Sequence, residues 1–136
     1  MNKQVFFLAA LAFAGSCLAQ VIGSDFVGSY VAKDRSGAEF EVLRIASKGG
    51  KLVATEGETA STPFEVQLAS RQEIERFLAR LDKPVVADQV SGIKTRDGDS
   101  DKIILLRVPV GTLLDREAST TGYVVIGVGA IEVHRR

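Results

Sequence analysis

Histidine occurs once in the chain, at His134. Any Ser–His or Cys–His nucleophile pair would have to use it. The strained Gly-x-Ser-x-Gly turn that presents a nucleophilic serine does not occur. His134 therefore reads as a polar residue near the end of a surface strand. Two pairs of acids, Glu39/Glu41 and Glu56/Glu58, are spaced to share one face of a strand. Glycoside hydrolysis needs two carboxyls facing each other across a cleft, one with its pKa raised by burial. Nothing around these pairs signals burial, so they read as solvated faces. Asp97, Asp99 and Asp101 have the 1-3-5 spacing that begins a calcium loop. The sixth position is then Lys102 where glycine is needed, and the twelfth is Val108 where glutamate is needed. A zinc site would draw on several cysteines or histidines, and the chain has one of each. The chemistry-bearing residues thus predict no catalytic constellation, no cofactor and no metal site. A binding role is therefore favoured over catalysis.

The first nineteen residues predict where binding takes place. Lys3 is followed by ten unbroken apolar residues, 5–14, and then by Gly15-Ser16-Cys17-Leu18-Ala19. One positive charge, a short apolar segment and small residues are the anatomy of a secretory leader. Ten residues are about half the length needed to cross a bilayer as a helix. Two processing readings stand. In one, cleavage follows Ala19 and frees a periplasmic or secreted domain of residues 20–136. In the other, Ala14-Gly15-Ser16-Cys17 resembles a lipobox, with Ala14 where leucine is usual. That resemblance implies that Cys17 is acylated, and Leu18 after it implies the outer membrane. Cys17 is the one cysteine, so the domain has no disulfide and must be held by an apolar core. At 117 residues it is long enough for one core and too short to suggest two. Charge is balanced, with 17 basic and 17 acidic residues. A nucleic-acid partner needs a basic stripe, and none is visible.

The elements that position the candidate residues are mostly strands. Residues 26–32 and 38–46 read as the first two. In the second, Phe40 and Val42 share one parity while Leu43 and Ile45 take the other, a change of phase that predicts a bulge or a second buried surface. Gly49-Gly50 predicts a tight hairpin into the strand 52–58. Phe64, Val66 and Leu68 then alternate with Glu65 and Gln67. Ser70-Arg71-Gln72-Glu73 forms a capping box, and Ile74, Phe77, Leu78 and Leu81 follow at one-face spacing, so an amphipathic helix is predicted over about 71–81. Residues 85–87 and 90–95 read as short strands. Residues 103–106 are apolar on both faces and predict a central strand. Residues 109–122 read as a long irregular connection. Residues 123–128 and 130–134 read as a final strand bent at Gly127 and Gly129. The fold class is a β-rich α+β domain: an antiparallel sheet or small barrel of about eight strands with one helix.

Gly28-Ser29-Tyr30 stands at the start of the first strand and Arg135-Arg136 at the end of the last. This resembles the Gly-x-Trp start of the lipocalin-like barrels, with tyrosine in place of tryptophan. The resemblance implies a basic residue, Arg135 or Arg136, packed over the aromatic, and a barrel that binds a small apolar ligand. Phe40, Val42, Phe64 and Val66 are the expected lining. Leu113 and Leu114, beside Asp115-Arg116-Glu117 on the long connection, are the expected contact points for a protein partner. Three functions follow as expectations: a ligand or protein binder of the bacterial envelope, an inhibitor or immunity-type protein that blocks an envelope enzyme, and a structural envelope lipoprotein.

Overall fold

A computed structural model describes residues 22–57, 62–81, 87–96, 102–113, 118–127 and 129–136. Eight antiparallel strands close into a barrel: β1 (Gly28–Lys33), β2 (Glu39–Lys48), β3 (Lys51–Glu56), β4 (Phe64–Leu68), β5 (Ser91–Thr95), β6 (Ile103–Arg107), β7 (Tyr123–Ile126) and β8 (Ala130–Arg135). Each strand pairs with its neighbour in sequence. β8 returns to β1 through Tyr30↔Arg135 and Val31↔His134. One α-helix, α1 (Arg71–Leu78), lies between β4 and β5. The antiparallel sheet or small barrel of about eight strands with one helix that the sequence predicts is, among the described residues, a closed barrel with one α-helix. Closure also removes every sheet edge.

Two bulges shift the register, and the one in β2 accounts for the change of phase between Phe40/Val42 and Leu43/Ile45. Tyr30 pairs with Leu43 but Val31 pairs with Glu41, so Val42 is the extra residue of β2. Ile93 pairs with Leu105 but Lys94 pairs with Ile103, so Ile104 is the extra residue of β6. Through these bulges one strand feeds two cores. The inner core holds Tyr30, Leu43, Ile45, Leu52, Ala54, Val66, Ile93, Ile104, Leu105 and Val133, all buried. The outer core lies under α1, where Ile74 and Leu78 pack with Ile103, Leu106, Val108 and Val124. That is why residues 103–106 are apolar throughout. Gly92 lets the helix approach: a Cβ there would stand 2.9 Å from the Leu105 carbonyl oxygen and 3.1 Å from Ile74 Cδ1.

Local rules set the connections. Gly49 and Gly50 take φ of 59° and 77°, the primed-turn geometry that suits a two-residue hairpin. The capping box forms as predicted: the Glu73 N–H donates to Ser70 Oγ at 3.2 Å, and the Ser70 N–H donates to Glu73 Oε1 at 3.0 Å. Three expectations are corrected. The final segment is two strands, β7 and β8, that pair as a hairpin whose turn is closed by the Gly127 N–H on the Gly129 carbonyl. Residues 87–89 form a 3-10 turn, where a strand ending at Ala87 was expected. The connection 109–122 is not irregular at its base: Leu113 bridges Ala118, the Gly111 N–H donates to the Ser119 carbonyl at 2.7 Å, and the Ser119 N–H donates to the Thr112 carbonyl at 2.9 Å. Periodicity misses this arm because backbone and polar side-chain bonds hold it.

Candidate binding site at the mouth of the barrel

The two ends of the barrel differ. At the end where β1 begins, residues 22–27 cross the opening. Ser24–Phe26 forms a 3-10 turn, and Phe26 is buried against the inner core. Gly23 sits against Leu52, Leu68 and Ile93, close enough that a Cβ would lie 3.0 Å from Leu52 Cδ1. This segment is a plug. Tyr30 fastens it, its hydroxyl donating to the Phe26 carbonyl at 2.5 Å. Burial pushes the Tyr30 phenol up to about 12, against the opposing pull of the Arg135 guanidinium. Arg135 lies over Gly28 and donates to the Asp25 carbonyl at 2.5 Å. The Tyr30 ring meets Tyr123 at 5.5 Å between centroids.

No such plug crosses the opposite end among the described residues. Pairing sets which side chains face inward there. Ala32 pairs with Phe40, Ala54 with Phe64, and Val125 with Ile131. Ala32, Ala54 and Val125 belong to the inner core, so Phe40, Phe64 and Ile131 share the inward parity. Phe64 is half-buried and packs on that core. Phe40 is 40% exposed and Ile131 44% exposed. Among the described residues, Phe40, Phe64 and Ile131 therefore give this mouth an apolar rim.

The expected lining residues separate by depth. Phe40 and Phe64 stand at the mouth. Val42, the bulge residue, packs on the inner core from a half-buried position. Val66 pairs with Leu52 and is buried deeper, away from the mouth. Alternation along β4 gives a face but not a depth. Ile131 was missed because β8 was read for its last residues, not for the rim it supplies. Of the protein-contact pair, Leu113 is 38% exposed, and Leu114 lies outside the described residues. Glu58, Asp97, Asp99, Asp101 and the leader also lie outside them.

The candidate chemical groups stand on the outer wall. His134 Nε2 is 3.5 Å from Glu39 Oε1, and Arg136 pairs with the same carboxylate. Glu41 pairs with Arg44 at 2.9 Å. Val31, Glu39, Phe40, Glu41, Arg44 and Arg136 line an open cleft of about 260 Å³. A second open cleft, of about 560 Å³, is lined by Ile22, Lys51, Leu52, Glu65, Leu68 and Arg96 among others. Within it, the Arg96 guanidinium, donating to Glu65, holds that carboxyl below its usual range, with Lys51 acting in the same direction. Among the described residues no group of three or more His, Cys, Asp or Glu stands ready for a metal ion.

Sequence reasoning gave no sign of Glu132. From the outer face of β8 it reaches the base of the arm formed by residues 109–122. Its Oε1 accepts from the N–H of Thr121 at 2.9 Å, from the N–H of Thr120, and from the hydroxyls of Ser119 and Thr120 at 3.2 and 3.1 Å. Burial would raise this carboxyl, yet the Thr121 and Thr120 donors hold it low. The partners lie 11–13 positions away in sequence, beyond any local motif.

No protein-family model, no curated protein and no solved structure matches the chain.

Proposed function

We propose that the chain is a non-catalytic binding protein of the bacterial cell envelope whose barrel mouth takes a small apolar ligand. The observation that carries this reading is the asymmetry of the two ends. One end is plugged and fastened by Tyr30, whereas the other carries exposed inward-parity residues, Phe40 and Ile131, beside the half-buried Phe64. An apolar rim on a closed scaffold is a low-cost place to bury an apolar molecule. The leader in the sequence supports export, either free in the periplasm or tethered at Cys17. The lipocalin-like resemblance gains support from Arg135, which lies over Gly28 and beside Tyr30 at the plugged end.

The test is titration with a naturally fluorescent polyene fatty acid. Saturable binding is expected, with Phe40→Asp weakening it at least tenfold while the far-ultraviolet circular dichroism stays unchanged. An identical isotherm for the variant would remove the mouth from the reading.

One observation favours a second function, that of an inhibitor acting on an envelope enzyme. The base of the arm, residues 111–113 and 118–121, is stitched together and pinned by Glu132, and it holds Leu113 partly exposed. Pre-organisation of this kind reduces the entropy lost on binding a partner. On this reading, Leu113→Asp abolishes capture of an envelope protein in a pull-down and leaves fatty-acid binding intact. Capture equal to that of the unmodified chain would count against the arm.

A further inference from the structure

Among the described residues, six large apolar side chains are exposed: Ile22, Phe40, Leu68, Val110, Leu113 and Ile131. Strand direction sorts them cleanly. Phe40 and Ile131 belong to the mouth. The other four stand at the plugged end: Ile22 at the entry to the plug, Leu68 at the end of β4, and Val110 and Leu113 on the arm that follows β6. Ile22 is 76% exposed and Val110 is 70% exposed.

Cations share this end. Lys48 and Lys51 flank the Gly49-Gly50 turn and are both exposed, Lys51 standing 3.4 Å from the Glu65 carboxylate. Arg107 and Arg135 close β6 and β8, with Asp25 near Arg107 at 3.8 Å. Lys51 also stands on the rim of the larger cleft with Ile22 and Leu68, so charge and apolar tips are neighbours there. The apolar tips come from three separate segments. The core of a protein interface is a contiguous, fully desolvated patch. A bilayer boundary, by contrast, accepts dispersed apolar tips while the surrounding lysines and arginines meet anionic headgroups.

We propose that the plugged end of the barrel docks on the surface of an anionic lipid bilayer. Ile22 and Val110 enter the acyl boundary, Lys48 and Lys51 meet the headgroup phosphates, and the mouth faces away into water. This contact needs no acyl group on Cys17.

The experiment uses residues 20–136. Every described strand, the helix and the plug lie within 22–136, and circular dichroism against the full chain checks the fold. Co-sedimentation is measured with vesicles of phosphatidylglycerol in phosphatidylcholine and with phosphatidylcholine alone. Binding is expected with the anionic vesicles and is expected to fall as salt rises. Val110→Asp and the pair Lys48→Glu with Lys51→Glu should each weaken it roughly tenfold. Arg35→Glu, on the turn beyond the mouth, should leave it unchanged. Failure to bind anionic vesicles overturns the proposal, as does equal binding by the plugged-end variants or loss of binding in Arg35→Glu. A lipid-independent dimer that Val110→Asp dissolves would assign this end to a second copy of the chain and overturn it likewise.

Discussion

Glu73 shows how much one side chain can organise. One carboxylate oxygen caps the helix through the Ser70 N–H, and the other pairs with Lys94 of β5. Both side chains are nearly buried, at 10% and 11% exposure. Burial alone would raise the carboxyl, but the Lys94 ammonium and the Ser70 donors bring it down to about 2. A carboxyl with a depressed folded pKa stabilises the native state above its unfolded value, here 4.5, and that contribution is lost as pH falls toward 2. Glu73→Gln should therefore cost roughly 3 kcal/mol at pH 7, read as a lower denaturant midpoint. The gap between the two chains should narrow below pH 4.5 and close near pH 2. A gap that stayed constant over this range would show that the charge of Glu73 is not what stabilises the fold, since glutamine can still accept from the Ser70 N–H. Glu132, also held low, adds to acid sensitivity in the same direction. By comparison, the exposed Arg71–Glu75 pair, which i,i+4 spacing predicts, contributes little.

At the scale of elements, the joint between α1 and the barrel is the most demanding. Gly92 faces α1 from β5 with no room for a methyl group. The nearest obstacle is backbone, the Leu105 carbonyl, which cannot rotate away as a side-chain tip can. Gly92→Ala should destabilise the fold by about 1–3 kcal/mol, with thermal unfolding as the measurement. A neutral result would mean that the helix rides further from the sheet. The helix itself was legible in the sequence because its signals are local: the capping box and the spacing of Ile74, Phe77, Leu78 and Leu81. The bulge in β2 was legible as a phase change, since Phe40/Val42 and Leu43/Ile45 cannot alternate on one regular strand, whereas the bulge in β6 was hidden in an unbroken apolar run. The recipient of the helix stripe was only half legible. Residues 103–106 announced two buried faces, but pairing partners decide which face meets the helix. The arm was opaque, because polar bonds from Glu132 leave no hydrophobic period.

At the scale of the molecule, the barrel is a body with two unlike ends. The mouth was legible in part. Phe40 and Phe64 were named by alternation, whereas Val66 was named with them and belongs deeper. Depth along a strand follows from register, and register is settled by partners distant in sequence. The plug was read only as the start of a strand, because Phe26 is apolar whether it extends β1 or folds beneath it. The functional expectations separate by end. Ligand binding should respond to Phe40→Asp at the mouth, and inhibitor capture to Leu113→Asp on the arm at the opposite end.

The seam between β1 and β8 rests on two residue pairs, and beyond it the Arg136 N–H donates to the Ser29 carbonyl at 2.9 Å. The first and last strands are thus neighbours in space, which makes the order of the chain along the barrel largely a matter of where it is cut. A circular permutant that joins Arg136 to Ile22 through a short glycine-serine linker, and opens between Gly49 and Gly50 where the surroundings are empty, should keep the barrel. Its far-ultraviolet circular dichroism should match that of the parent chain. A disordered permutant would show that the β2–β3 hairpin must form as one continuous piece before the ring can shut.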